Sequence, residues 1–314
     1  MSKVLVSGSL AYDHIMNFPD LFRNHFLPEK LHNINVSFNI ADRHEHFGGT
    51  AGNIAYNLAL LGEEPAIIAT AGNDFDHYAE HLKKAGVDTS SIHIDSSRET
   101  SAAYVVTDRG DNQIAAFYPG AGAKSYGDRV PFEWAKLAII APGCLEDMHA
   151  LPEIYRANKI PFFFDPGQTI ISLTSDDLRN GITGAAVVFG NDYELAMITQ
   201  KTGWQEADIL KNAKALVITL GEEGSRIVTP NVEVRVSAVH AKENRDPTGA
   251  GDSYRAGYAK GFLAGLPPEQ CAKIASVAAV YDVESVGTQD HHYTMEEFKA
   301  RYEAAYNQPF PLST

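Results

Sequence analysis

The sequence has little cysteine, no excess of positive charge and no long apolar run, and each shortage removes a class of protein. Its 314 residues hold two cysteines, Cys144 and Cys271, far apart in the chain. Both sit among small or apolar neighbours, so buried free thiols are expected rather than a disulfide framework, in keeping with a reducing cytoplasm. The 26 Lys and Arg are outnumbered by 40 Asp and Glu, a formal charge of −14. Broad attachment to nucleic acid or to an anionic membrane needs a basic face and is not expected. No apolar run approaches the ~20 residues that cross a bilayer. The opening Met1-Ser2-Lys3-Val4-Leu5-Val6-Ser7-Gly8 is interrupted too soon for a signal peptide.

Several motifs are missing too. Without Gly-x-x-x-x-Gly-Lys-Ser/Thr there is no P-loop. No Gly-x-Gly-x-x-Gly follows the first apolar run, which argues against a dinucleotide oxidoreductase. His44-Glu45-His46 and His291-His292 match no common zinc spacing and read as solvated histidines. No repeat, low-complexity tract or Pro/Gly/Ser linker divides the chain, so one domain over 1–314 is expected.

What is there is an alternation of short apolar runs with amphipathic segments. Val4–Ser7, Ala66–Thr70, Leu137–Ala141, Phe162–Asp165, Ala186–Phe189 and Leu216–Leu220 read as strands buried on both faces. Ala51–Leu61, Phe75–Ala85, Asp192–Thr199, Gln205–Lys211, Ala250–Ala264, Pro268–Val283 and Met295–Tyr306 read as helices. Asp74 stands as an N-cap and Gly86 as a C′ glycine. This rhythm predicts an α/β fold, a mainly parallel sheet with helices on both faces. Leu31–Phe47 and Thr100–Tyr118 break it. Their partial alternation predicts a small β-sheet lid over about 14–47 and 100–120.

The stretch that carries the chemistry is Asp246-Pro247-Thr248-Gly249-Ala250-Gly251-Asp252-Ser253, followed by a helix of small and large residues. A small-residue turn opening a helix leaves several N–H groups free at the positive end of the helix dipole, a ready anion site. Missing side chains at Gly249 and Gly251 let a phosphate approach the backbone. Asp252 then stands beside that site, where phosphoryl transfer needs a group to aim the attacking hydroxyl and take its proton late. Read alone, the octapeptide also fits an ordinary helix start with a dipole-stabilising Asp.

Asp-Pro-Thr-Gly-Ala-Gly-Asp with its small-residue helix resembles the C-terminal signature of the ribokinase-like (PfkB-type) kinases. Phe47-Gly48-Gly49-Thr50-Ala51-Gly52-Asn53, running on to Gly62, resembles their second signature, in the right order near the other end of the chain. The resemblance covers nearly the whole length. It implies a ribokinase-like fold and an ATP-dependent phosphotransferase with Asp252 as base and the amides of Gly249, Ala250 and Gly251 around the migrating phosphoryl group. It places Gly48, Gly49 and Asn53 against the acceptor's hydroxyls. Asp13, which follows the first strand where open α/β sheets place ligand contacts, would join them. Asn191 and Glu194 would serve ATP and Mg²⁺, the latter through water, because Mg²⁺ keeps much of its hydration. Thr219, Gly221 and Gly224 resemble the loop beside the nucleotide, where a β-hairpin turn is the alternative. Asp246 and Thr248 lie where the family often binds a monovalent cation such as K⁺. Subunits of the family sometimes pair through their lids, so a homodimer is expected.

Ribose, fructose and nucleosides all suit these signatures. The flanking segments Gly8-Ser9-Leu10-Ala11-Tyr12-Asp13, Leu27-Pro28-Glu29-Lys30-Leu31, Phe117-Tyr118-Pro119-Gly120-Ala121 and Glu284-Ser285-Val286-Gly287-Thr288-Gln289 look like bacterial adenosine kinases. That likeness implies transfer to the 5′-hydroxyl of adenosine, Ser9 among the acceptor contacts and a role in purine salvage. Adenine needs a flat apolar surface, for which Phe38, Phe47, Phe117 and Tyr118 are candidates and Phe117 is favoured. A kinase of a simple sugar and a non-catalytic nucleoside-binding protein on the same scaffold are the competing readings. Arg255 departs from the common pattern after the base, and two readings stay open for it, a contact to phosphate or a place on the helix surface.

Overall fold

The computed structural model describes residues 3–26, 33, 35–110, 112–127 and 134–312. The quoted segment Leu27–Leu31 and the start of the predicted lid at Leu31 lie outside them, as do Met1 and Ser2. In chain order the elements are β1 (Lys3–Ser7), β2 (Ala11–Asn17), β3 (Asp42–Gly48), α1 (Thr50–Leu60), β4 (Pro65–Ile68), β5 (Thr70–Gly72), α2 (Asp76–Lys84), β6 (His93–Asp95), β7 (Ser101–Thr107) and β8 (Gln113–Tyr118). There follow β9 (Ala135–Ile140), α3 (Leu145–Ala157), β10 (Phe162–Phe164), α4 (Ser175–Ile182), β11 (Val187–Asn191), α5 (Asp192–Thr202), α6 (Glu206–Asn212) and β12 (Leu216–Thr219). Last come β13 (Ser225–Val228), β14 (Glu233–Val236), α7 (Ala250–Leu263), α8 (Pro268–Val283) and α9 (Met295–Tyr306).

Eight strands form the main sheet in the order β14-β13-β12-β11-β10-β9-β1-β4. It is parallel from β4 to β12, and antiparallel from there to β14. Its apolar runs are continuous because successive side chains enter opposite cores. Val4 and Val6 of β1 join one core with α1, α7, α8 and α9, while Leu5 joins the other with α3, α4, α5 and α6. Phe163 of β10 likewise opposes Phe162 and Phe164. The mainly parallel α/β sheet expected from the sequence is therefore present, with helices on both faces.

A second sheet has the order β3-β2-β7-β8. β2 pairs antiparallel with β3 and parallel with β7, and β7 pairs antiparallel with β8. β8 is exposed along its whole length. The segment 35–40 that precedes β3 has no regular structure. Beyond β4 the chain enters a small pair, β5 with β6; the predicted strand Ala66–Thr70 is thus divided between two sheets.

Other expectations need correction. Asp74 does not cap α2: its Oδ1 accepts from the backbone and hydroxyl of Thr100 instead, at 2.8 and 2.6 Å. Gly86 does take the left-handed C′ conformation, at φ +91°. Cys271 is buried but Cys144 is partly exposed, and both are free thiols. His291 is buried rather than solvated, bonding Asn57 Oδ1 through Nε2 at 2.9 Å. Burial pushes its pKa down to about 4. Helix α3 escaped the sequence reading because Pro152 interrupts its pattern. Among the described residues no helix is long and apolar enough to cross a membrane.

Candidate active site

Two helices begin on glycine at the carboxyl edge of the main sheet, and neither glycine can cap with a side chain. Gly249 precedes α7 at φ +88°. A Cβ there would lie 2.8 Å from Thr288 Cγ2 and 2.9 Å from Asp282 Oδ2, so only glycine fits. The Ala250 N–H turns back to Pro247 O at 3.3 Å. Among the described residues, the N–H groups of Gly249, Gly251 and Asp252 have no protein acceptor, and they sit at the positive end of α7. Gly49 precedes α1 at φ +87°, where a Cβ would lie 2.6 Å from Ser9 O. There the missing cap comes from elsewhere in the chain: Thr50 N–H donates to Ser9 Oγ at 3.1 Å and Ala51 N–H to Ser9 O at 3.0 Å. By contrast α4, α5 and α9 carry complete capping boxes.

Asp252 occupies the first turn of α7. Its Oδ2 accepts from Asn53 Nδ2 of α1 at 2.9 Å. Asn53 is itself held, its Oδ1 accepting from Thr288 Oγ1 at 2.7 Å and Gln289 Nε2 at 2.9 Å. The chain continues through Tyr78, whose hydroxyl accepts from Gln289 and donates to Gly48 O at 2.7 Å. Asp252 Oδ1 has no protein donor among the described residues. Burial pushes the Asp252 carboxyl up to about 7, against the pull of Arg255 and Asn53 and with help from Asp165 and Asp13. Beneath the turn, burial, with Asp252 and Asp246 nearby, pushes the Asp282 carboxyl up to about 9.

These groups share a cleft of about 570 Å³. Its floor is the carboxyl end of the parallel strands: Ser9 after β1, Pro142 after β9, Asp165 after β10, Asn191 of β11 and Thr219 of β12. The chain passes from β1 to β4 on one side and only later enters β9 on the other, the switch point where open α/β sheets take ligands. Toward the small sheet the wall holds Asp13, Gly49, Asn53, Ala103 and Phe117. Asp13 lies within β2, and burial raises its carboxyl to about 6 against the pull of His46. Gly48 stays outside the lining and makes room for Asp13, whose carboxylate a Cβ there would strike. Of the aromatic candidates, Phe117 lines the cleft and is 60% exposed. Phe47 stacks on Tyr78 and His81, and Phe38 packs with Phe18 and Phe22.

Away from the small sheet the wall holds Asn191, Glu194, Thr219, Gly221, Thr248, Gly249 and Gly251. Asn191 and Glu194 form a capping box on α5: Glu194 N–H donates to Asn191 Oδ1 and Asn191 N–H to Glu194 Oε2, both at 2.8 Å. Burial, with Asp165 nearby, raises the Glu194 pKa. Thr219 through Gly224 is the turn of the β12–β13 hairpin, so the hairpin and cleft readings hold together. Gly224 shapes that turn at φ +95° and does not line the cleft. Asp246 also stands outside the lining, its Oδ1 accepting from Thr248 N–H at 2.9 Å and its Oδ2 from Gly287 N–H at 3.4 Å.

Asp165, which the sequence did not single out, and Arg255, for which it left a phosphate contact and a helix-surface place open, both line the cleft. They form a buried ion pair through Oδ2 and Nε. The signal available was an Asp ending an apolar strand before Pro166-Gly167, at the same end of the sheet as Asn191. Among the described residues no three His, Cys, Asp or Glu are grouped to hold a metal. The sparse carboxylates of Glu194 and Asp165 suit a cation that keeps most of its water.

Residues 1–294 match the family described as pfkB family carbohydrate kinase. A nucleoside kinase of Methanocaldococcus jannaschii is 30% identical over 307 residues, spanning 96% of this chain and 97% of its own. The solved structure of Burkholderia thailandensis nucleoside kinase in complex with inosine matches with a TM-score of 0.88 and 34% identity, over 98% of this chain and 99% of that one. The same protein in complex with ADP-inosine matches with a TM-score of 0.86 and 35% identity, over 98% and 97%.

Proposed function

The chain belongs to the PfkB family of carbohydrate kinases, and from that premise we propose that it moves the γ-phosphate of ATP to the 5′-hydroxyl of a purine nucleoside, adenosine foremost. The observation that carries this reading is the placement of Asp252, at the free amides of α7, in one cleft with Asp13 and an exposed aromatic, Phe117. A purine base can stack on that aromatic platform. The inosine bound by the Burkholderia relative is a purine nucleoside and agrees with this choice.

The ribose lies toward Asp13, Gly49 and Asn53, and ATP extends toward Asn191, Thr219 and Gly221. Asn53 holds Oδ2 of Asp252, which leaves Oδ1 to receive the 5′-hydroxyl. As the bond from that oxygen to the γ-phosphorus forms, the bond to the β–γ bridging oxygen breaks and its electrons leave with ADP. The hydroxyl proton passes to Asp252 late in a loose transition state. The amides of Gly249, Gly251 and Asp252 face the phosphoryl oxygens and need no reorganisation as charge develops. Mg²⁺ carried on ATP would neutralise phosphate charge, with Glu194 and Asp165 reaching it through water. Asp246 and Thr248 are retained as the pair for a monovalent cation, tested by omitting potassium.

The test is ATP consumption with Mg²⁺ over adenosine, inosine, guanosine, cytidine, ribose and fructose. Turnover with purine nucleosides is expected. Turnover with ribose and none with nucleosides would hand the function to the sugar-kinase reading.

A further inference from the structure

Among the described residues lining the cleft, Arg255 is the sole Lys or Arg, and its side chain is only 8% exposed. A buried cation must be paired, and this one is paired on one side only. Its Nε faces the carboxylate of Asp165, itself 2% exposed and fixed by the Gly167 N–H, which donates to Oδ1 at 3.1 Å. The guanidinium rests over the Phe189 ring, 5.6 Å from its centroid. A guanidinium has five N–H donors, and neither Nη makes a protein hydrogen bond among the described residues. Nη1 lies only 2.6 Å from where a Cβ on Gly251 would stand, so the free donors abut the amide turn. Arg255 follows Asp252 by three residues on α7, which puts both on one helical face.

We propose that Arg255 is a catalytic residue whose Nη groups bind the oxygens of the migrating phosphoryl group, while Asp165 holds the Nε side and fixes the fork. This rests on the kinase reading above. Arg suits the task because its planar fork matches phosphate oxygens two at a time. Gly251 is then explained twice over: it bares an amide, and it clears space for the guanidinium. The competing role is indirect, with Arg255 only setting the charge state of Asp252 one turn away.

The experiment compares wild type with Arg255→Gln and with the double variant Asp165→Asn/Arg255→Gln, which leaves no unpaired carboxylate in the core. Steady-state rates with ATP and adenosine are taken from pH 5.5 to 9, alongside calorimetric adenosine binding. A direct phosphoryl contact lowers kcat by about 10²–10³-fold in both variants, at every pH, with adenosine affinity within a few-fold. Added guanidinium ion restores part of the loss. Rates within five-fold of wild type in the folded double variant overturn the proposal. So does a loss that vanishes at high pH, because that marks a shifted Asp252 titration alone. Wild type inactive on every acceptor sinks the kinase reading and this inference together, whereas active wild type with active variants sinks the inference alone.

Discussion

Asn53 and Asp252, 199 residues apart in the chain, meet across a 2.9 Å hydrogen bond from Nδ2 to Oδ2. The bond ties the first turn of α1 to the first turn of α7. Asn53 is itself gripped by Thr288 and Gln289, so the carboxylate has one orientation and one free oxygen. The base is aimed by the fold rather than by the substrate.

Removing that grip tests the aim. Asn53→Ala should lower kcat by about 10²-fold, the usual loss for a misplaced reacting group. Asn53→Asp should do more, because a second carboxylate against Oδ2 raises the Asp252 pKa further. Steady-state pH profiles check this, with the acid limb of the Asp variant moved to higher pH.

The same carboxyl governs pH dependence. Asp252 acts as base only when ionised, so wild-type kcat/KM should fall below about pH 7, not near the ordinary carboxylate value. Its folded pKa is raised above the unfolded one, so the proton favours the folded state. The stability it contributes is complete below about pH 4 and is lost as pH rises through about 7. Asp252→Asn should therefore melt higher than wild type at pH 8 and show a smaller gain at pH 5, in thermal scans that need no substrate.

Gly249→Ala should damage both fold and rate. The left-handed φ of +88° and the clash with Thr288 and Asp282 predict a loss of about 1–3 kcal/mol. Denaturant unfolding measures that loss. Single-turnover rates on the folded fraction should also fall, because the amides of the turn shift.

Phe117 is exposed and packs little, so Phe117→Ala should leave the melting temperature within about a degree. A lost stacking platform should raise KM for adenosine about ten-fold, with kcat nearly unchanged. Equal effects on adenosine and ribose kinetics would remove Phe117 from the base-binding role.

Much of the scaffold was legible because its strands and helices carry unambiguous periods. Pro268–Val283 and Met295–Tyr306 stand where expected, and β1, β9 and β11 follow their apolar runs. The hidden parts are those where a local rule yields to tertiary context. Pro152 disguised α3, and Asp74 left its cap position for Thr100. Within the cleft, the small-residue turn before α7 pointed to Asp252, since missing side chains at a helix start are visible in the chain itself, whereas Asn53 came only with the family resemblance. Their mutual hydrogen bond was not legible, nor the Asp165–Arg255 pair, because only folding sets such distant side chains face to face. Gly48 and Gly224 stood out as motif glycines, yet each works by making space, for Asp13 and for the β12–β13 turn.

Radiolabel from γ-labelled ATP, followed in the presence of Mg²⁺ and adenosine with wild type and Asp252→Asn side by side, reports phosphoryl transfer itself. Transfer with Asp252 as base predicts labelled adenosine 5′-monophosphate from wild type, and at least about 10²-fold less from the variant, which still binds adenosine in calorimetry. Label transferred as fast by the variant, or appearing on ribose and on no nucleoside, would contradict it.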